Sequence, residues 1–193
     1  ATVNFTGGGL AISTTSGGGF NATGGATAIT VQGSGNTIAS TTGTALNVAN
    51  STIGASGLTF QSIAANGAAN GIALNTTGSG GLTVTGTGAT DGSGGTIQNT
   101  SGRGASFISA SNISLSNMNF TNAGTSDLDA DNSGLSTGDN LLTNAAIHLQ
   151  TVTGASLANL NITGGAEQGI NGHTVSTFTL SDSSIVDAGN GPD

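Results

Sequence analysis

The chain contains no cysteine, tryptophan or tyrosine, and Arg103 is its only lysine or arginine. Without cysteine, neither disulfide bonds nor structural cysteine–zinc sites can form. Nine acidic residues against one basic residue give a formal charge of −8, which excludes a basic surface for nucleic acid. No apolar run approaches the roughly 18 residues of a membrane span. We therefore expect neither nucleic-acid binding nor membrane insertion.

Glycine is abundant, with 35 residues in 193, and charged residues make up only 5%. This composition is typical of flexible, low-complexity chains. Hydrophobic residues nevertheless make up 34% of the chain and recur in pairs at alternate positions, as half-buried strands require. Examples are Val3 and Phe5, Ile29 and Val31, Leu46 and Val48, Ile113 and Leu115, and Phe178 and Leu180. Turn-forming Gly, Asn and Ser bound the pairs, so the pattern predicts many short strands.

A repeated segment indicates how these strands are arranged. Residues 114–121 recur as 156–163 with five of eight positions identical. A step of 23 residues then carries Val152, Ala155, Leu157 and Ile162 onto Val175, Phe178, Leu180 and Ile185. In the same way, Leu58, Phe60, Ile63 and Ala65 fit the template of Ile113, Leu115, Met118 and Phe120. Such offsets are typical of solenoids.

We predict an all-β fold, a right-handed parallel β-helix (β-solenoid) with coils of about 23 residues, each carrying three short strands, and with loop insertions. The expected coils are 44–71, 72–104, 105–146, 147–169 and 170–193, with looser ones before residue 44. The alternative, an antiparallel sandwich or barrel, does not require strands to match at a fixed offset. Stacking also predicts apolar columns inside and polar ladders at the turns. The expected ladders are Asn117, Asn159 and Asp182, and Asn99, Asn122 and Asp187.

Three stretches of the sequence resemble a known class of proteins. They are residues 81–88, 94–99 and 111–120. They are similar in style to very large bacterial exoproteins built of β-strand repeats, such as autotransporter passengers and haemagglutinin-like adhesins. The resemblance implies secretion, a right-handed β-helix and a role at the cell surface, and it carries over no catalytic residue. We expect residues 1–193 to form a single segment of a larger protein, because residues 190–193 offer no polar cap for a last coil.

The longest predicted insertion, 122–146, is acidic. Asp127, Asp129 and Asp131 alternate as at the start of a calcium loop, in which oxygen ligands wrap one hard cation. The match is incomplete, because the glycine comes three places after Asp131 and no glutamate stands at the closing position. Asp139 lies one place beyond that position and can substitute for it. Two interpretations stay open: a weak calcium site formed by these four aspartates, or a solvated acidic loop.

Few other residues bear catalytic or metal-binding chemistry. Adjacent coils should bring His148 and His173 within one or two positions of each other, with Glu167, the only glutamate, in the turn between them. This cluster fits either a metal site or ordinary polar surface. A β-helix lyase would need a basic residue, for which Arg103 is the one candidate. A glycosidase would need two carboxylates across a groove, drawn from Asp182, Asp187 and Glu167.

One further pattern concerns hydroxyl groups. Thr83, Thr85 and Thr87 suggest an ice-binding face, but such a face needs the same pattern stacked over many coils. The expected equivalents are Thr59 with Gln61 in one coil and Ser114 with Ser116 in another, so the threonines do not repeat strictly. An ordinary exposed β-sheet surface is the simpler interpretation.

The sequence thus predicts a structural rather than an enzymatic role. We expect a rigid, extracellular or cell-surface β-solenoid segment of a large bacterial protein, acting as an adhesive stalk or filament. The alternatives are a carbohydrate-active β-helix enzyme, which clustered acids in a groove would reveal, and a calcium-stiffened binding module. The expected partners are other copies of the chain, through end-to-end association, and a host or matrix surface ligand.

Overall fold

The computed structural model describes residues 2–25, 28–126, 144–165 and 167–189, and all regular secondary structure in these ranges is β-strand. No helix that could span a membrane occurs there. The strands are β1 (Val3–Phe5), β2 (Ala11–Thr14), β3 (Phe20–Thr23), β4 (Ile29–Val31), β5 (Thr37–Ser40), β6 (Leu46–Ala49), β7 (Ile53–Phe60), β8 (Ser62–Asn66), β9 (Ile72–Asn75), β10 (Leu82–Val84), β11 (Thr96–Gln98), β12 (Ala105–Ser116), β13 (Asn119–Thr121), β14 (Ala145–Ala158), β15 (Asn161–Thr163), β16 (Gln168–Ser181) and β17 (Ser184–Val186).

All pairings between these strands are parallel. From β1 to β9, each strand pairs with the one three places further along the chain, so three strands complete one coil. Parallel pairing between strands so close in sequence excludes a sandwich built from antiparallel hairpins. The described chain therefore has a parallel β-solenoid-like fold, as the repeats predicted.

The strands form three faces. Face I contains β3, β6, β9 and the first halves of β12, β14 and β16. Face II contains β1, β4, β7, β10 and the second halves of those three long strands. Face III is the seven-stranded sheet of β2, β5, β8, β11, β13, β15 and β17. Because the long strands continue around the corner, faces I and II form one ten-stranded sheet.

The spacing between stacked residues changes along the solenoid. Hydrogen-bonded partners on neighbouring coils lie 26 residues apart for Thr14 and Ser40 and 23 apart for Thr153 and Ser176. Where loops are inserted, the spacing grows to 33 for Asn66 and Asn99 and to 42 for Asn117 and Asn159. The strands thus stay in register while the insertions are confined to the turns.

The predicted interior columns are confirmed. Leu115 pairs with Leu157 and Leu157 with Leu180, and a second column stacks Phe120, Ile162 and Ile185. The offset template is also correct, because Leu58 aligns through Leu82 with Ile113. Leu115 and Leu157 are buried, whereas Leu180 and Ile185 keep 42% and 44% exposure. Within the described residues, β16 and β17 have a neighbour on one side only, and this accounts for the difference.

At the corners of the solenoid, residues with a left-handed backbone conformation stack in columns. Asn117, Asn159 and Asp182 follow equivalent paired positions and have φ of 60°, 53° and 48°, and Gly86 precedes them with φ of 64°. Asn and Asp tolerate this region better than other residues that carry a Cβ, and glycine enters it freely. The predicted Asn99, Asn122 and Asp187 column is also left-handed, with Gly164 between its last two members. The predicted ladders therefore mark the turns.

Candidate functional site: a polar cluster and cleft on face I

The sequence-predicted calcium ligands Asp127, Asp129, Asp131 and Asp139 lie outside the described residues, so the calcium interpretation stays a prediction. Among the residues that the structure does describe, no three His, Cys, Asp or Glu side chains lie close enough together to hold a metal ion. The predicted combination of His148, His173 and Glu167 therefore does not form a three-ligand site. Asp182 and Asp187 occupy different corner columns.

The structure brings Arg103, Glu167 and both histidines to one side of face I. Ser106, His148 and Asn171 form one column, and Gln150 and His173 form the next. Interior Phe107 and Leu149 alternate with these residues, which places the column on the outer side of the sheet. His148 and His173 are therefore diagonal neighbours on adjacent coils, as their spacing predicted.

Arg103 and Glu167 approach the same cluster from the turns that precede β12 and β16. The Arg103 guanidinium donates a hydrogen bond from Nη1 to Ser106 Oγ at 3.3 Å, and its backbone N–H donates to Asn70 Oδ1 at 2.9 Å. Burial lowers the pKa of Arg103, and the Glu167 carboxylate offsets part of this effect. Glu167 Oε2 also accepts the backbone N–H of Asn144 at 2.7 Å. The Glu167 carboxylate thus links two consecutive coils next to Arg103.

His148 is the most deeply buried member of the cluster. Its side chain is fully buried, and neither ring nitrogen makes a hydrogen bond of regular geometry. Burial is the main cause that lowers its pKa to about 4, and the positive charge of Arg103 adds to the effect. Nearby Gln150 and Asn171 oppose the shift. The imidazole is therefore neutral at physiological pH, because protonation would place a buried cation beside the half-buried guanidinium of Arg103.

A cleft of about 450 Å³ opens next to this cluster. It crosses three consecutive coils on the outer side of face I, includes the turn from face III to face I, and is bordered by Asn144 of the fourth coil. Its lining residues are Asn47, Ala49, Asn70, Ala73, Leu74, Asn75, Gly102, Arg103, Ser106, Ile108 and Asn144. We call it the face I cleft. Amide, hydroxyl and guanidinium groups line it, which suits a ligand rich in hydrogen-bonding groups.

The hydroxyl groups of face II have the register that the sequence predicted. Thr83 lies between Thr59 and Ser114 on its outer side, and Ser156 and Thr179 continue the column. A smaller depression of about 350 Å³ lies along this column. Because two serines, Ser114 and Ser156, interrupt the threonines of this column, the strict threonine array of an ice-binding surface does not form.

Several residues of the face I cleft could not be predicted from the sequence. Asn47 and Ser106 are hydroxyl- or amide-bearing residues in a sequence full of them, and nothing local sets them apart. The signal lies in the register: Asn47, Ala73 and Ser106 form one outward column, in which alanine creates a depression between two polar neighbours. A correct alignment of the first coils would have revealed this column.

No protein-family model, curated protein or solved structure matches the chain significantly.

Proposed function

We propose that the chain is a rigid, rod-forming β-solenoid segment of a large bacterial surface or secreted protein, which acts as an adhesive stalk or filament. In this proposal the solenoid is right-handed, and its basic coil of about 23 residues is enlarged by loop insertions at the turns. The handedness follows the general preference of parallel crossovers.

The observation that carries the proposal is the uninterrupted stacking of apolar columns. On face II, Leu58, Leu82, Ile113 and Ala155 form one line of buried side chains across successive coils. Each coil contacts only its neighbours, so coils add length without enlarging the core. Each adds about 4.8 Å along the axis, the spacing between neighbouring strands. This architecture favours a spacer or stalk.

The surface chemistry supports an extracellular setting. The outward positions carry mostly Ser, Thr and Asn, and the single Arg103 leaves almost no site for trypsin-like proteases. The similarity of residues 81–88, 94–99 and 111–120 to repeat-containing bacterial exoproteins points in the same direction.

The proposal includes end-to-end association between copies. The large hydrophobic residues that are exposed in the described structure all lie in strands paired on one side only: Val3, Phe5, Phe178, Leu180, Ile185 and Val186. Phe5 and Phe178 belong to the same column, since Phe5 aligns with Val31 and Val31 with Leu58. Copies of the chain by itself can therefore associate through β1, β16 and β17, whose outer edges have no partner strand in the described structure.

Immunolabelling of intact cells that produce the protein tests its location. Antiserum raised against the chain should label unpermeabilised cells or detect the protein in the culture medium. Particles coated with the chain should adhere to host cells or extracellular matrix more strongly than particles coated with albumin. Labelling that requires permeabilisation, with no protein in the medium, would overturn the extracellular proposal.

Sedimentation velocity at increasing concentration tests the association. We expect the native chain to form higher species, and Leu180→Glu to abolish them by placing a charge on the apolar end. Thr163→Glu is the matched control, because Thr163 lies on the outer side of face III between two paired strands. A native chain that stays monomeric at all concentrations would contradict end-to-end assembly.

A further inference from the structure

The face I cleft exists because a small residue interrupts a polar column. Asn47, Ala73 and Ser106 occupy equivalent outward positions on three coils, and Ala49 lies at the edge of the same depression. Alanine at position 73 leaves a gap where longer side chains would fill the surface. The cleft therefore runs along the solenoid axis, across the strands.

The groups around this gap both donate and accept hydrogen bonds. Asn47, Asn70 and Asn75 line the gap with side-chain amides, and Ser106 lines it with a hydroxyl that already accepts from the Arg103 guanidinium. Carbohydrate hydroxyls have the same dual character, so a saccharide can satisfy such a lining from several directions. A volume of about 450 Å³ lies within the usual range for small-ligand sites.

The electrostatic setting favours a neutral ligand. Arg103 is the one arginine in a chain of formal charge −8, and the Glu167 carboxylate already balances its charge. His148, next to it, is neutral because its burial and the nearby guanidinium keep its pKa low. An anionic ligand would meet a net negative protein and a compensated cation. A neutral polyol is not repelled by the net negative charge, and its binding does not depend on the compensated charge of Arg103.

The spacing of the column favours an extended chain of sugars. Asn47, Ala73 and Ser106 follow one another at the distance between neighbouring strands, about 4.8 Å. This is close to the advance of one residue in an extended β-1,4-linked glycan. Successive sugars in such a glycan are turned over, so equivalent hydroxyls recur at every second sugar, and this repeat matches the two-coil step from Asn47 to Ser106. A curved α-1,4-linked glucan does not keep this registration.

We propose that the face I cleft binds an extended, neutral, β-1,4-linked oligosaccharide along the solenoid axis. This inference rests on the adhesive part of the proposed function and names the class of its surface ligand. Arg103 and the surrounding asparagines are the binding residues, and Glu167 positions Arg103. The cleft contains no aromatic side chain for stacking, so a single site binds weakly, with a Kd of about 1 mM.

Protein-observed NMR titration tests the proposal with four tetrasaccharides. Cellotetraose and chitotetraose are the extended neutral probes, maltotetraose is the curved neutral probe, and a mannuronate tetramer is the extended acidic probe. We expect saturable shifts with at least one extended neutral probe, clustered on residues of the face I cleft, and at least tenfold weaker binding of the other two.

Two variants and a matched control locate the site. Ala73→Leu fills the depression and should weaken binding at least tenfold, and Arg103→Gln should weaken it several-fold. Ala64→Leu is the control, because Ala64 is an equally half-buried outward alanine in a depression on face III. It should leave the affinity unchanged. Circular dichroism and melting temperature confirm that all three proteins fold.

Several results would overturn the inference. They are the absence of binding by either extended neutral probe up to about ten times the expected Kd, tighter binding of maltotetraose or the mannuronate tetramer, and an equal loss of affinity in Ala73→Leu and Ala64→Leu. These results would not affect the proposed surface location or the proposed rod-forming role. Conversely, glycan binding by a protein that immunolabelling finds only inside cells would overturn the proposed function and not the cleft.

Discussion

The side-chain amide of Asn159 donates a hydrogen bond to Oδ1 of Asn117 at 2.6 Å, although 42 residues separate them in sequence. Asn117 is buried and in turn donates from Nδ2 to the carbonyl oxygens of Thr85 and Gly88, at 2.9 and 3.1 Å. One asparagine thus joins its own coil to the one before and the one after it. Ladders of this kind satisfy turn backbone that the stacking would otherwise leave without partners.

Substitution of Asn117 should separate the contribution of its side-chain hydrogen bonds to stability from that of its left-handed backbone conformation. Asn117→Gly keeps the left-handed backbone and removes the hydrogen bonds, so the free energy of unfolding should fall by about 1–3 kcal/mol. Asn117→Ala should lose roughly 1 kcal/mol more, because alanine is strained at a φ of 60°. Urea denaturation measures both. Equal stability of the two variants would show that the backbone conformation contributes nothing.

The repeats in the sequence allowed the columns and the corner ladders to be predicted, because stacking forces equivalent residues onto one line. The pairs Leu115 with Leu157 and Asn117 with Asn159 follow directly from the repeated segment. The face I cleft could not be predicted in this way. It depends on a gap at Ala73 between residues of three coils, and on Arg103 and Asn144, which lie in turns where the repeats are least regular.

Acidification should destabilise the protein through His148. Its pKa is lowered from 6.5 to about 4 in the folded state, so the folded protein binds this proton less readily than the unfolded chain. The stabilisation is complete above pH 6.5 and is lost as the pH falls towards 4. It amounts to about 3 kcal/mol.

Chemical denaturation between pH 7 and pH 4 measures this effect. His148→Asn should show a distinctly smaller loss of stability over that range than the native chain. His173→Asn is the control, since His173 is exposed on the next coil. If the native protein and His148→Asn lose stability in parallel, the buried imidazole is not the cause.

Truncation of leucine should have unequal effects along one interior column. Leu115→Ala removes a fully buried side chain and should lower the free energy of unfolding by about 2–5 kcal/mol. Leu180→Ala, in the same column but 42% exposed, should lower it by about 1 kcal/mol or less. Both variants are measured at low concentration, because end-to-end association would cover the last coil. Equal losses under this condition would mean that the last coil is covered even in the isolated chain.

Calcium binding by the aspartates at 127, 129, 131 and 139 can be tested without knowledge of their geometry. A site with a Kd of about 10⁻⁴–10⁻³ M should raise the melting temperature by a few degrees in about 5 mM calcium relative to chelator. Asp129→Ala should abolish the shift. An unchanged melting temperature of the native chain, with no heat in titration calorimetry, would leave a solvated acidic loop.

Engineered disulfides give the most direct test of the central claim, that equivalent residues stack on parallel coils in one register. The chain has no cysteine of its own, so pairs can be introduced cleanly. Ser114 and Ser156 are direct partners on the outer side of face II, whereas Ala158 lies two residues further along the same strand. Neighbouring strands bring direct partners within disulfide reach, about 4.4–6.8 Å between Cα atoms, and diagonal ones lie beyond it. The stacked register predicts that oxidation closes the intramolecular disulfide in Ser114→Cys/Ser156→Cys and not in Ser114→Cys/Ala158→Cys. Failure of the first pair, or equal closure of both, would contradict it.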